Sequence, residues 1–249
     1  MLKQLATAAM ALSIAGVPAA AHDIGAMTVQ EREELRAEIR SFLLDEPQVL
    51  LDAFAVLEER EQNERARADM ELVQMNADQL FNDGHSWIGG NPDGDVTVVE
   101  FIDYRCGFCR RAHPEVGELI ASDSDIRHII KELPVLGEQS LIASRFALAV
   151  KHIHGDDAYA ETHDALMTMR GDVSDVSLAE LSRQLGYETE VVFGAMDDEA
   201  VERAISENHA LAQRLGINGT PGFVFGDRMV RGYIPLEQMR GIVAELREG

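Results

Sequence analysis

Apolar residues recur along this chain with two different periods, and the change of period marks its parts. Leu35, Ile39, Phe42 and Leu43 follow one face of a helix; after Pro47, so do Val49, Leu50, Phe54 and Leu57. Thr28, with Glu31 three residues later, is a capping box that opens the first helix. From Glu58 to Asp69 the residues are almost all charged or small, and pairs such as Glu61 with Arg65 suit a solvated helix. The turn cluster Asn91-Pro92-Asp93-Gly94-Asp95 closes this stretch. Val96 to Ile102 is an apolar, β-branched run broken only by Glu100, and predicts a buried strand; Ile126 to Leu133 predicts a second. Between them, a helix runs to about Ser122. Helical patterning then holds from about Gly137 to Leu215, with breaks near Gly155, Gly171 and Gly186. Strand signals return at Phe223 to Phe225 and Arg228 to Val230, around the turn Gly226-Asp227. A last helix opens at Pro235 and carries Leu236, Met239, Ile242, Val243 and Leu246.

This order predicts a mixed α/β domain over residues 85–249, with a helical insertion at about 137–215. The helical arm before it, residues 22–84, buries its own apolar stripe poorly. It is either a cap on the main domain or an oligomerisation arm whose stripe meets copies of itself.

A length of 249 residues suits one domain of ordinary size plus such an appendage. The 44 acidic against 22 basic residues give a formal charge of −22, which would repel nucleic acid and anionic membrane alike and argues against both as partners. At the start, Lys3, the apolar run Leu5 to Val17 and the cleavage pattern Ala19-Ala20-Ala21 read as a signal peptide over residues 1–21. The run is too short to span a bilayer comfortably. The mature chain is therefore expected outside the cytoplasm, in a bacterial periplasm.

That address changes the reading of the cysteines. There are two, Cys106 and Cys109, enclosing Gly107-Phe108 between a predicted strand and a predicted helix. At a helix N-terminus the Cys106 sulfur meets unpaired N–H groups and the positive end of the dipole, so its thiolate is favoured. Arg105, Arg110 and Arg111 add positive charge nearby, and Cys109, one turn on, is the resolving thiol. The pair then exchanges disulfides through mixed-disulfide intermediates. Two other readings compete. A structural bond closing so short a loop would stabilise little. Cys106, Cys109 and His113 have tolerable metal-ligand spacing, but nothing supplies the fourth ligand of structural zinc; monovalent copper accepts two thiolates. The expected site holds no metal and no cofactor beyond the redox disulfide itself.

Glu100, six residues before Cys106, is either an edge residue facing solvent or a partly buried carboxylate that shuttles the Cys109 proton. Lys131 on the second strand is placed to tune that carboxylate, or to face solvent. Thr220-Pro221 is either a loop terminator or a cis bond facing the disulfide, offering its backbone to an extended client peptide. Pro114 should kink the active-site helix. His152, His154 and His163 read as solvated helix residues rather than ligands.

Together these residues resemble the DsbA-like branch of the thioredoxin superfamily. The resemblance rests on Val98-Val99-Glu100-Phe101, the Cys106 to Cys109 motif, Pro114, Lys131-Glu132-Leu133-Pro134, the helical insertion and Gly219-Thr220-Pro221. It implies a thioredoxin fold with an inserted helical domain, a cis Pro221, and Glu100 and Lys131 beside the redox pair. Glu38 to Leu44 followed by Pro47-Gln48-Val49-Leu50 resembles the arm of the suppressor-of-copper-sensitivity protein C (ScsC) group. That implies a homo-oligomer, a trimer, through residues 22–84. Gly107-Phe108 is similar to the Gly-Tyr of dimeric disulfide isomerases and unlike the Pro-His of oxidising DsbA enzymes. The resemblance thus implies an isomerase or reductase acting on periplasmic cysteine-containing proteins and kept reduced by a membrane redox partner. A DsbA-type dithiol oxidase and a copper-binding factor in metal tolerance are the alternatives.

Overall fold

A computed structural model describes residues 27–248, so the signal-peptide segment lies outside the described residues. The chain divides into two compact units, one ending at Glu59 and one beginning at Arg60.

In the first unit, α1 (Val29–Asp45) opens on the predicted box. The Glu31 N–H donates to Thr28 Oγ1 at 3.3 Å, and the Thr28 N–H donates to Glu31 Oε2 at 2.8 Å. None of its residues is buried. The helix α2 (Gln48–Met75) begins in the same unit. Leu35, Ile39, Phe42, Val49, Leu50, Phe54 and Leu57 are all exposed, which leaves the predicted stripe facing outward.

The later turns of α2 belong to the second unit. Arg65 pairs with Glu61 at 3.1 Å on its solvated face. Val73, and Leu80 on α3 (Ala77–Phe81), are buried beside Leu211 and Leu215. The arm therefore does not run to residue 84: the division falls at Glu59, because Val73 and Leu80 fill one face of the sheet.

That sheet has five strands in the order β1-β3-β2-β4-β5. They are β1 (Trp87–Gly90), β2 (Val96–Ile102), β3 (Ile126–Glu132), β4 (Gly222–Phe225) and β5 (Arg228–Arg231). β2 pairs with β3 in parallel and every other neighbour is antiparallel. The register sets Val98 beside His128, Glu100 beside Ile130 and Phe101 beside Lys131. Side chains alternate across a strand, so Val98, Glu100 and Ile102 share a face with His128, Ile130 and Glu132, while Val99 and Phe101 share the other with Ile129 and Lys131. Two cores follow from this alternation. Val99, Phe101, Ile129 and Val224 pack with Leu80, Leu211 and Leu215. On the opposite face Val98, Phe223 and Phe225 pack under Ala112 and Val116 of α4 (Gly107–Ser122) and under Met239 and Val243 of α10 (Leu236–Glu248). Each fully buried Val, Leu, Ile, Phe or Met side chain among these stabilises by roughly 1.5–3 kcal/mol.

The insertion is five helices: α5 (Glu138–His154), α6 (Asp156–Thr168), α7 (Asp175–Gln184), α8 (Thr189–Ala195) and α9 (Glu199–Arg214). Its breaks fall where the glycine pattern puts them. Gly155 and Gly186 take φ of 87° and 81°, a region that disfavours any side chain. The apolar core of the insertion continues through Ile102 and Ile130 to Cys106 and Cys109, so the redox pair sits where the sheet meets the insertion.

Candidate active site

Cys106 is the N-cap of α4, with extended φ −75° and ψ 115°. It is 7% exposed while Cys109 is fully buried, so only the Cys106 sulfur can meet a client. Both are free thiols. The Thr220–Pro221 peptide is cis, and the Cys106 S–H donates to the Thr220 carbonyl at 3.1 Å.

Hydrogen bonds, not cations, favour the thiolate. The Cys109 thiol donating to Cys106 is the largest influence; against the opposing effect of burial, and with help from the Thr220 side chain and the backbone N–H groups of Cys109 and Phe108, it brings Cys106 down to about 5. Cys109 moves the opposite way. Its bond to Cys106 and its burial push it well up, and the nearby charge of Glu100 adds to the rise. The two sulfurs are thereby divided into a ready nucleophile and a thiol that must lose its proton before it can resolve.

Asp103 holds the approach to this turn. Its Oδ1 accepts from the Arg105 N–H at 2.7 Å, and its Oδ2 from the N–H groups of Val135 and Leu136 at 2.8 and 3.0 Å. Val135 and Leu136 are exposed, as is Phe108, which stacks on Tyr233 with ring centroids 6.2 Å apart. The Arg111 guanidinium lies 4.4 Å over the Tyr233 ring.

The family model for a DSBA-like thioredoxin domain matches residues 97–244, more than half of the chain. The chain belongs to the DsbA-like thioredoxin-domain family. Its sheet with an inserted helical block is a thioredoxin-like fold. A thioredoxin-like oxidoreductase from Silicibacter pomeroyi is 41% identical, with a TM-score of 0.66 over 69% of this chain and 98% of its own. A linker-deleted mutant of Proteus mirabilis ScsC is 27% identical, with a TM-score of 0.66 over 91% of this chain and 100% of its own. The Na(+)/H(+) antiporter NhaA 1 of Salinispora arenicola is 26% identical over 162 residues, 65% of this chain. The chain spans about a quarter of the length of such curated antiporter relatives. No helix among the described residues is long and apolar enough to cross a membrane.

In this DsbA-like site Glu100 is buried, and its Oε2 lies 3.2 Å from His128 Nε2. Lys131, expected beside Glu100, is not there. One residue out of phase with His128 and Ile130, it faces the other side of the sheet, where its ammonium donates to Asp83 Oδ2 at 2.5 Å and Ser86 Oγ at 3.1 Å. Burial alone would raise Asp83, but the Lys131 charge and the bonds from Lys131 and Ser86 hold it at about 2. The basic neighbour of the Glu100 carboxylate is thus His128.

Two of the three arginines near the thiols are clamps. Arg110 donates to the carbonyls of Tyr104 and Met169 at 2.7 and 2.6 Å, and Arg105 to that of Gly171 at 2.7 Å, tying the CxxC turn to the end of α6. His152 and His154 are exposed as expected, but His163 is buried, its Nδ1 3.2 Å from Tyr104 Oη. Glu132 is a further buried group. Tyr104, Tyr159 and Ser144 donate to it at 2.7, 2.6 and 2.7 Å, yet burial still pushes it up to about 7. The sequence signal for Glu132 was its place in Lys131-Glu132-Leu133-Pro134. His128 carried none without the strand register.

Proposed function

We propose that the protein is a periplasmic disulfide isomerase and reductase that works as a homo-oligomer. The observation that carries this reading is the division of labour at the CxxC turn: a thiolate-favouring Cys106 that keeps 7% of its surface exposed, beside Thr220-Pro221, with Cys109 fully buried behind it.

The Cys106 thiolate attacks one sulfur of a client disulfide. A Cys106–client bond forms as the client bond breaks, and the second client sulfur leaves as thiolate. In isomerisation a different client thiolate attacks the mixed disulfide, makes a new client bond and returns Cys106 with no net change of electrons. In reduction Glu100 takes the Cys109 proton, and Cys109 attacks the Cys106 sulfur. The client leaves with two electrons gained, and the Cys106–Cys109 disulfide remains. A membrane partner carrying a dithiol re-reduces it. The cis peptide backbone at Thr220-Pro221 holds an extended client segment, and Phe108, Val135 and Leu136 give it apolar contact.

The exposed apolar residues of α1 and α2 support assembly through the first unit, and the ScsC likeness extends over 91% of the chain. Three copies, as the resemblance in the arm implies, would present several Cys106 thiolates to one misfolded client, which favours reshuffling over simple oxidation. The signal-peptide reading of residues 1–21 supports export.

The test is reactivation of scrambled ribonuclease by the full chain and by a Phe42→Glu/Phe54→Glu variant. The expected result is reactivation that requires Cys106 and falls when the variant dissociates. Rapid oxidation of reduced ribonuclease, with no reactivation of the scrambled form, would make the protein a dithiol oxidase instead.

A further inference from the structure

Away from the thiols, the described residues bring three metal-ligating side chains together. They are His113 of α4 and His163 and Asp164 of α6, and one ligating atom of each lies within 4.8 Å of the others. His113 Nε2 and Asp164 Oδ1 are 3.3 Å apart. Donors at about 2.0–2.1 Å around a tetrahedral zinc ion stand about 3.3–3.4 Å from one another, so this pair already has the spacing of one edge.

The third ligand is held by an outer layer. Tyr104 Oη gives its hydrogen to Glu132 Oε1 at 2.7 Å, and His163 Nδ1 lies 3.2 Å from Tyr104 Oη. A hydroxyl that has donated its hydrogen can only accept, so Nδ1 carries the ring proton and Nε2 keeps its lone pair. A carboxylate–hydroxyl–imidazole chain of this kind fixes the tautomer and orientation of histidines that ligate metals. His163 and Tyr104 are both buried, and the Asp164 side chain is 71% exposed, so an ion can reach the cluster from solvent without any opening of the core.

We propose that His113, His163 and Asp164 form a binding site for one divalent first-row transition ion of the zinc class, with water as the fourth ligand. Two imidazoles and one carboxylate suit such an ion and not calcium or magnesium, which take oxygen donors. His113 is four residues beyond Cys109 on the same helix. A bound ion therefore pins the CxxC helix to α6 of the insertion. The site uses neither sulfur and holds whichever direction the thiols run.

The test is calorimetric titration of the full chain with Zn2+ after oxidation of Cys106 and Cys109 to the disulfide, which removes the thiolates as ligands. One ion per chain with micromolar or tighter affinity is expected. His113→Ala and Asp164→Asn should each weaken it about tenfold or more. Both positions reach solvent, so the variants should keep the wild-type circular dichroism. Tyr104→Phe, which removes the outer layer but no ligand, should weaken binding by a smaller factor. Three outcomes would overturn the proposal: no uptake by the oxidised chain, uptake only by the reduced chain, or uptake unchanged in His113→Ala and Asp164→Asn.

Discussion

Glu100 Oε2 and His128 Nε2 face each other at 3.2 Å, both buried, on the side of the sheet that carries Cys109. A buried carboxylate beside an imidazole can accept a proton and hand it on to a hydrogen-bonded neighbour. Glu100→Gln should therefore slow the step in which Cys109 resolves the mixed disulfide, by about a hundredfold, the range of general-base contributions. Formation of that mixed disulfide by Cys106 should stay near wild type. Stopped-flow measurement of the two phases separates them; equal resolution rates in wild type and variant would remove Glu100 from the proton path.

The depressed Cys106 sets a pH dependence. Its alkylation rate should rise through about pH 5 and level off above it, where a free thiol would keep rising to about 8.5. The folded reduced chain binds its proton less tightly than the unfolded one. The reduced form therefore gains stability over the oxidised form as pH rises from about 5 to about 8.5, and loses that gain as pH falls back through 5. Thermal melts of both redox states across this range measure the difference. A flat difference would contradict the assigned thiolate.

Lys131 is the structural counterpart of the Glu100 pair. Its ammonium is fully buried against Asp83. Lys131→Ala should destabilise the fold by about 3–5 kcal/mol, because it strands a buried carboxylate. Lys131→Met with Asp83→Leu should recover most of that loss. Neither change should shift the Cys106 alkylation profile. A shift would return Lys131 to the redox site.

How far the sequence could be read depended on whether a feature was local. The strand Val96–Ile102 was legible residue for residue, since β-branched residues bounded by Asp95 and Asp103 leave little choice. The helix breaks at Gly155 and Gly186 were legible because positive φ is a local demand. β1 was not: a four-residue edge strand ending in Gly89-Gly90 has the composition of a linker, and only its pairing with β3 makes it a strand. Lys131 and His128 were exchanged for a related reason. Both lie in the predicted strand, and only its register against β2 decides which one shares the Glu100 face. His163 is one position on an insertion helix, and its burial comes from Tyr104 and Tyr159 around it.

Arg110 separates clamping from electrostatics. Arg110→Ala removes bonds to the Tyr104 and Met169 carbonyls and should cost about 1.5–3 kcal/mol of stability. The Cys106 profile should remain at its wild-type position, because hydrogen bonds and not guanidinium charge hold the thiolate. Chemical denaturation and alkylation on the same sample give both readings. A profile moved to higher pH would make Arg110 a thiolate stabiliser after all.

The most direct measurement is a trap. Reduced Cys109→Ala chain mixed with scrambled ribonuclease should accumulate a covalent adduct through Cys106 that dithiothreitol releases, because attack proceeds and internal resolution cannot. Reduced Cys106→Ala chain should form none, its remaining thiol being buried and protonated. An adduct forming equally through Cys109, or no adduct with either variant, would contradict Cys106 as the nucleophile that opens client disulfides.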